Sequence, residues 1–310
     1  MKLSFVIPAF NEEESLKQLY NEILENIKEY DYEIIFVDDG STDHSFDEMR
    51  KLAEKDRNVK VIRFRKNFGK AAGLQTGFDA ASGDIIFTMD ADLQDDPKEI
   101  SAFLQKLEEG YDMVTGWKKK RKDPIGKTWP SKLANSVMNS AFKLKIHDHN
   151  CGFKAYRKEV AEELDVYGEM HRYIPALAHA RGFKIAEIPV NHRKRKFGVS
   201  KYGVERFFRS FLDLLTVKLV TGYLHSPLYL FGRIGAGFSF LGFIIALYLT
   251  IMKLGFHQPL YNRPLLYLAT LLIIIGLQFF SIGLLGELIV NQNRKSNKEI
   301  KISIKEKINF

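Results

Sequence analysis

Residues 234–252 carry no charge over 19 positions, and residues 264–286 carry none over 23. A helix rises about 1.5 Å per residue, so roughly 20 residues cross a bilayer core of about 30 Å. Core helices of soluble proteins rarely lack charge for so long. The short connection from Lys253 to Arg263 makes the two runs a membrane hairpin. Its two positive charges are outnumbered by Arg294, Lys295, Lys298, Lys301, Lys305 and Lys307 beyond the hairpin, with Arg206, Arg209 and Lys218 before it. The positive-inside tendency then places both ends, and the polar part of the chain, on the cytoplasmic side of the cytoplasmic membrane. A net charge of +8 would suit nucleic acid or an anionic membrane. With a hairpin present the membrane is the better account, and no nucleic acid is expected.

The first ten residues do not form a signal peptide, because their apolar run is short, contains Pro8 and is followed by Glu12, Glu13 and Glu14. A single cysteine, Cys151, excludes an internal disulfide and fits a reducing compartment. The expected organisation is a cytoplasmic domain over 1–200, an amphipathic interfacial helix over 201–226, a transmembrane hairpin over 227–291 and a basic tail over 292–310.

Within 1–200 the pattern alternates strand and helix. Strands are expected at 3–7, 33–37, 59–64, 84–89 and 112–116. Helices are expected after Asn11, which can cap the first, at 69–81 and at 97–109. Such alternation argues an α/β fold with a mostly parallel sheet covered on both faces. Ligands bind beyond the carboxyl ends of such strands. Three polar clusters fall there: Pro8 to Glu12, Asp38-Asp39, and Asp90 to Gln94. Asp90 and Asp92 stand one residue apart, and in an extended backbone they share a face, so they can close on one hard cation.

The segments Val6-Ile7-Pro8-Ala9-Phe10-Asn11-Glu12, Val37-Asp38-Asp39-Gly40-Ser41-Thr42-Asp43, Arg65-Lys66-Asn67-Phe68-Gly69-Lys70 and Met89-Asp90-Ala91-Asp92-Leu93-Gln94-Asp95 resemble glycosyltransferase family 2 in order and spacing. The resemblance is strongest to its polyisoprenyl-phosphate glycosyltransferases and covers the whole chain, hairpin included. It implies the GT-A fold and inverting, metal-dependent transfer of one hexose from a UDP- or GDP-sugar to undecaprenyl or dolichyl phosphate. The lipid-linked sugar would then serve cell-envelope or glycan modification. It further implies that Pro8, Ala9, Phe10 and Glu12 pack on the nucleoside, and that Asp39 or its neighbour Asp38 bonds the base or ribose. Asp90, Asp92 and Gln94 would hold Mg2+ or Mn2+, with Asp90 also counted as nucleotide-binding through the metal that meets the diphosphate, and Asp92 as catalytic.

The stretch from Asn191 to Gly203 resembles the family's basic segment ending in Ser-Lys-Tyr. Arg193, Arg195, Ser200 and Lys201 are the expected acceptor-phosphate residues, with Arg172 a further one. A juxtamembrane patch attracting anionic lipid is the plainer alternative. Where relatives that transfer glucose carry Gly-Asp-Phe, this chain has His147-Asp148-His149-Asn150-Cys151-Gly152-Phe153-Lys154. Asp148 is the nearest acid for a catalytic base, although a lipid phosphate needs aiming more than deprotonation. Zinc is not expected at this cluster, since no second ligand pair has the usual spacing. The rival readings are a processive family 2 polysaccharide synthase and a catalytically silent membrane adaptor. Against the first, no Gln-x-x-Arg-Trp follows the Ser-Lys-Tyr region. Gly232, Gly235 and Gly237 could permit close helix packing, which leaves a homo-oligomer open without fixing the oligomeric state.

Overall fold

The computed structural model describes residues 1–119, 139, 144–193, 227–256, 259, 263–293 and 304–309. The chain divides into two compact units, Met1–Val217 with Lys301–Phe310, and Lys218–Ile300.

In the first unit, strands β1 (Lys2–Ala9), β2 (Asp31–Asp38), β3 (Val59–Phe64) and β4 (Ile85–Thr88) are joined by helices α1 (Leu16–Asn26), α2 (Ser45–Lys55) and α3 (Lys70–Ala80). Helix α4 (Ile100–Glu108) leads to β5 (Met113–Trp117). Strand β6 (Lys154–Arg157), helices α5 (Lys158–Glu163) and α6 (Ile174–Ala180), and β7 (Ile185–Pro189) follow. Strand β8 (Ile304–Ile308) completes a sheet of order β7-β5-β6-β4-β1-β2-β3-β8. The pairs β1–β2, β1–β4, β2–β3 and β5–β7 are parallel, while β6 and β8 run against their neighbours.

Phe5, Ile7, Ile34 and Phe36 are fully buried in the central strands, where continuous apolar runs suit a sheet covered on both faces. Phe5 stacks on Phe87, which meets Phe103 of α4 and Phe153 beside β6. Helix α3 lies close on β1 through small residues. A Cβ on Gly73 would stand 2.9 Å from Pro8 Cβ, and one on Gly77 would overlap Val6. Under the amino ends of the strands, Glu33 is 2 % exposed and accepts from Ser4 Oγ (2.6 Å) and Ser82 N (2.6 Å), beside Lys60 and Lys2 at 3.0 and 3.1 Å. Burial opposes its charge, but these donors outweigh burial and hold the carboxyl down at about 2.

Three expectations are corrected. Helix α1 begins at Leu16 with Ser15 as its cap, not directly after Asn11. Asn11 adopts a positive φ of 57° and accepts from Thr42 N at 2.8 Å, while Glu12 N donates to Ser45 Oγ, so this stretch is committed to the neighbouring loop. Strand β4 stops at Thr88, and Asp92 lies in a turn that continues through Leu93 at φ 60°. Strand alternation therefore does not place the two acids; the turn does. Third, the tail is not only a basic extension. Its last described strand, β8, pairs antiparallel with β3, and Asn309 Nδ2 donates to Ala53 O (2.8 Å) and Val59 O (3.0 Å). The expected interfacial helix over 201–226 lies outside the described residues.

In the second unit, α7 (Pro227–Phe256) and α8 (Pro264–Asn293) are long and apolar enough to cross a membrane. They pack on each other through glycine. A Cβ on Gly235 would come 2.5 Å from Gly276 O, and one on Gly242 would come 2.8 Å from Ala269 O. Gly235 therefore serves the hairpin itself rather than a second chain, whereas Gly237 faces open space. Phe243, Leu247, Leu277 and Leu288 are exposed, as lipid-facing side chains would be and core side chains would not.

Candidate active site

The site forms where β1, β2 and β4 end. At the end of β2, Asp38 accepts from Ser41 N at 2.9 Å and lies 3.2 Å from Arg63 Nε. Asp39, 4 % exposed, accepts from Phe68 N at 2.6 Å and Gly69 N at 2.9 Å. Burial raises its pKa against the pull of those two amides. Each oxygen keeps lone pairs for a further donor. Gly40 allows the approach: at φ 72°, its Cβ would lie 2.5 Å from the Lys66 carbonyl carbon. Pro8 and Ala9 end β1 beside this corner, with Phe10 and Glu12 in the loop that follows. Asn11 N donates to Ser41 Oγ at 3.0 Å, which ties the two loops together.

At the end of β4, the Asp90 carboxylate forms an ion pair with Lys70 Nζ, and its own amide donates to Asp95 Oδ2 at 3.2 Å. Gly152 is pressed against the same carboxylate, since a Cβ there would stand 2.5 Å from Asp90 Oδ2. This is why a glycine sits between Cys151 and Phe153. Burial opposes the Asp90 charge, but Lys70, then Lys118, then Lys154 hold its carboxyl well below the usual range. Lys70 is held up by Asp90 despite burial. Lys154, 3 % exposed and opposite Thr88 in the β4–β6 pairing, donates to Cys151 O, and burial brings it down to about 8. Beside it, burial and the neighbouring Lys70, Arg172 and Lys154 hold His171 at about 2, so its ring is neutral.

Asp92 accepts from Gln94 N at 3.1 Å, which closes the turn. Gln94 Nε2 lies 3.3 Å from Arg193 O and 3.2 Å from His192 Nε2. Among the described residues no three His, Cys, Asp or Glu side chains gather to hold an ion. Asp90 already holds a cation in the Lys70 ammonium, so its environment suits positive charge. Asp90 and Asp92 would need substrate oxygens to complete the shell of a divalent ion.

The expected acceptor residues separate. Arg193 reaches Glu22 of α1 and Asp96, each at 2.5 Å, and its amide donates to Gln94 O at 2.9 Å. It is a strut between α1 and the acidic turn. Arg172 pairs with Glu169 at 2.5 Å. Arg195, Ser200 and Lys201 lie outside the described residues. Asp148 is 1 % exposed, accepts from Asn150 N at 3.1 Å, and its amide donates to Glu187 at 2.8 Å. It braces the turn before Cys151, an enclosed place for an acid expected to meet an acceptor. His147 stacks on Trp117 at 4.0 Å, and His149 Nε2 lies 3.0 Å from Asn139 Oδ1.

Sequence reasoning gave no role to Lys70, Lys154 or Asp95. The first two were visible as the last residues of Asn-Phe-Gly-Lys and Cys-Gly-Phe-Lys. Their meaning lies in the shared neighbour Asp90, which no spacing shows.

Residues 4–165 match the sequence profile described as Glycosyl transferase family 2. Dodecaprenyl-phosphate galacturonate synthase of Rhizobium johnstonii is 37% identical over 93% of this chain and 88% of its own length. Undecaprenyl-phosphate 4-deoxy-4-formamido-L-arabinose transferase of Pseudomonas aeruginosa is 35% identical over 92% of this chain and 84% of its own. Among solved structures, glucosyl-3-phosphoglycerate synthase from Mycobacterium tuberculosis, in complex with Mn2+ and UDP-glucose, superposes with a TM-score of 0.55 at 20% identity. That superposition covers 71% of this chain and 78% of the other, and establishes the GT-A fold. Converging strand-end acids, a GT-A sheet and near full-length similarity to two lipid-phosphate sugar transferases together place the chain in glycosyltransferase family 2, as a glycosyltransferase.

Proposed function

We propose that this enzyme transfers a single sugar from a nucleotide sugar to the phosphate of a polyprenyl lipid such as undecaprenyl phosphate, with inversion at the anomeric carbon. The observation that carries the reading is similarity over nine-tenths of the chain, apolar helices included, to enzymes named for polyprenyl-phosphate products. Those names point to single transfer and away from a processive synthase. The 4-deoxy-4-formamido-L-arabinose of one relative is a pentose derivative, so the donor sugar here need not be a hexose.

In this reading Asp39 accepts from the nucleoside while its own oxygens are held by the Phe68 and Gly69 amides. Pro8, Ala9, Phe10 and Glu12 form the adjoining floor and rim. Asp90 and Asp92 would hold Mg2+ or Mn2+, which would supply positive charge toward the departing diphosphate. Lys70, Lys118 and Lys154 add to that field from protein already folded around it. The lipid phosphate is aimed at the face of the sugar opposite the nucleotide, which gives inversion. Its binding groups are Arg195, Ser200 and Lys201, with the apolar pair as the anchor. The pair is a hairpin with both ends on the cytoplasmic side by the distribution of lysine and arginine.

The test is a screen of UDP- and GDP-sugars against short-chain polyprenyl phosphate with Mn2+ or Mg2+, read by product mass. The expected product is the lipid phosphate plus one sugar. A ladder of sugar additions would favour a polymerase, and nucleotide release with unchanged lipid would remove the assigned acceptor.

A further inference from the structure

The segment from Phe68 to Lys70 touches both acidic centres. Its amides at Phe68 and Gly69 donate to Asp39, and its side chain at Lys70 pairs with Asp90. Lys70 is the first residue of α3, and Gly69 before it turns the chain at φ 92°. The ammonium is thus delivered to Asp90 by the same short stretch that Asp39 holds in place.

A dication arriving at the Asp90 carboxylate would compete with the Lys70 ammonium for the same oxygens and repel it. Lys154 cannot readily make room, because it is 3 % exposed and donates to Cys151 O. Lys70 is half-buried on a flexible stem, so it is the cation that can leave. It leaves at low cost only if another anion receives it, and the donor's diphosphate brings that charge.

We propose that Lys70 is an internal counter-ion of the metal carboxylate: it occupies Asp90 until nucleotide diphosphate accepts it, and so makes metal and nucleotide binding mutually dependent. The inference rests on Asp90 being a metal ligand. By linkage, whatever factor the nucleotide adds to metal affinity the metal adds to nucleotide affinity, and such couplings typically run to about 5–150-fold. Without Lys70, the metal meets a vacant carboxylate and the displaced ammonium no longer assists the diphosphate.

The experiment uses the full chain in detergent, with Mn2+ binding followed by its electron paramagnetic resonance signal, with and without UDP or GDP. In the unsubstituted enzyme Mn2+ alone should bind weakly, and the cognate nucleotide should strengthen it. Lys70→Met, and separately Lys70→Gln, should tighten Mn2+ binding without nucleotide by about tenfold and shrink the nucleotide's effect to a few-fold or less. Asp90→Asn should abolish the tight site in every background. If the Lys70 variants bind Mn2+ alone no more tightly than the parent while Asp90→Asn still loses it, the counter-ion role is wrong and the metal site stands. If Asp90→Asn leaves Mn2+ binding intact, the metal reading fails and takes the proposal with it.

Discussion

The ends of β2 and β4 both present a carboxylate to the same edge of the sheet, yet each is balanced differently. Asp39 is matched by two backbone amides, at 2.6 and 2.9 Å, which cannot leave without unfolding the loop. Asp90 is matched by the ammonium of Lys70, which can swing away. A carboxylate held by fixed dipoles is a preformed recognition surface. One held by a mobile cation is an exchangeable site. Fixed recognition beside exchangeable charge is what a transferase needs if it must grip a nucleoside and then manage a changing diphosphate.

The strongest way to break this comparison is at the exchangeable end. Asp92→Asn keeps the size of the side chain and removes one charge, and transfer should fall about a hundredfold or more, as losses of transition-state charge stabilisation do. Chelation of the unsubstituted enzyme should match it and be reversed by Mn2+ or Mg2+. An unchanged thermal midpoint would show that the loss is chemical, and full activity in chelator would remove the metal from the account.

Beneath the sheet, away from both centres, Glu33 supplies a contrast in which charge serves stability alone. Its folded pKa lies below the unfolded value, so its contribution is present above about pH 4.5 and is lost as pH falls toward 2. The shift corresponds to about 3 kcal/mol. Glu33→Gln should lower stability at neutral pH by roughly that order and flatten the acid limb of a denaturation profile. The Michaelis constants should not move; if they do, this end of the sheet is coupled to the site.

At the preformed end, Asp39→Asn takes the charged acceptor from both amides, leaves one facing an NH2, and offers the nucleoside no carboxylate. Charge-assisted hydrogen bonds are worth about 1.5–3 kcal/mol, so nucleotide affinity should drop roughly ten- to hundredfold, with or without metal. Arg193→Ala should have the smallest effect on substrate binding. As a strut between Glu22 and Asp96 it should cost stability and some turnover, while the apparent constant for the lipid stays near the parent value. A steep rise in that constant alone would restore the phosphate role first expected for it.

The β1–β4 half was legible because buried strands are short apolar runs that stop at polar residues. Residues 59–64 were placed as observed, and the others within a few positions. Helix α2 escaped notice although Phe46, Met49, Leu52 and Ala53 keep its spacing, because charged residues surround them. Strand β6 is four residues long and inserts between β4 and β5 by long-range pairing, which no local pattern encodes. Strand β8 was hidden by Lys305, Glu306 and Lys307, whose charges read as tail. At the site, residue type singles out Asp39 and Asp90, which stand just beyond the ends of β2 and β4. Partner choice was not legible: nothing in the basic segment distinguishes Arg193, bound to two carboxylates, from a cation facing a phosphate.

The most direct measurement is a calorimetric titration of the donor's nucleoside diphosphate into the parent enzyme, Asp39→Asn and Asp90→Asn, each with and without Mn2+. Metal should strengthen binding by a similar factor in the parent and in Asp39→Asn, and by none in Asp90→Asn. Asp39→Asn should instead be weaker than the parent under both conditions. A metal effect lost in Asp39→Asn and kept in Asp90→Asn would contradict the division between a fixed and an exchangeable carboxylate.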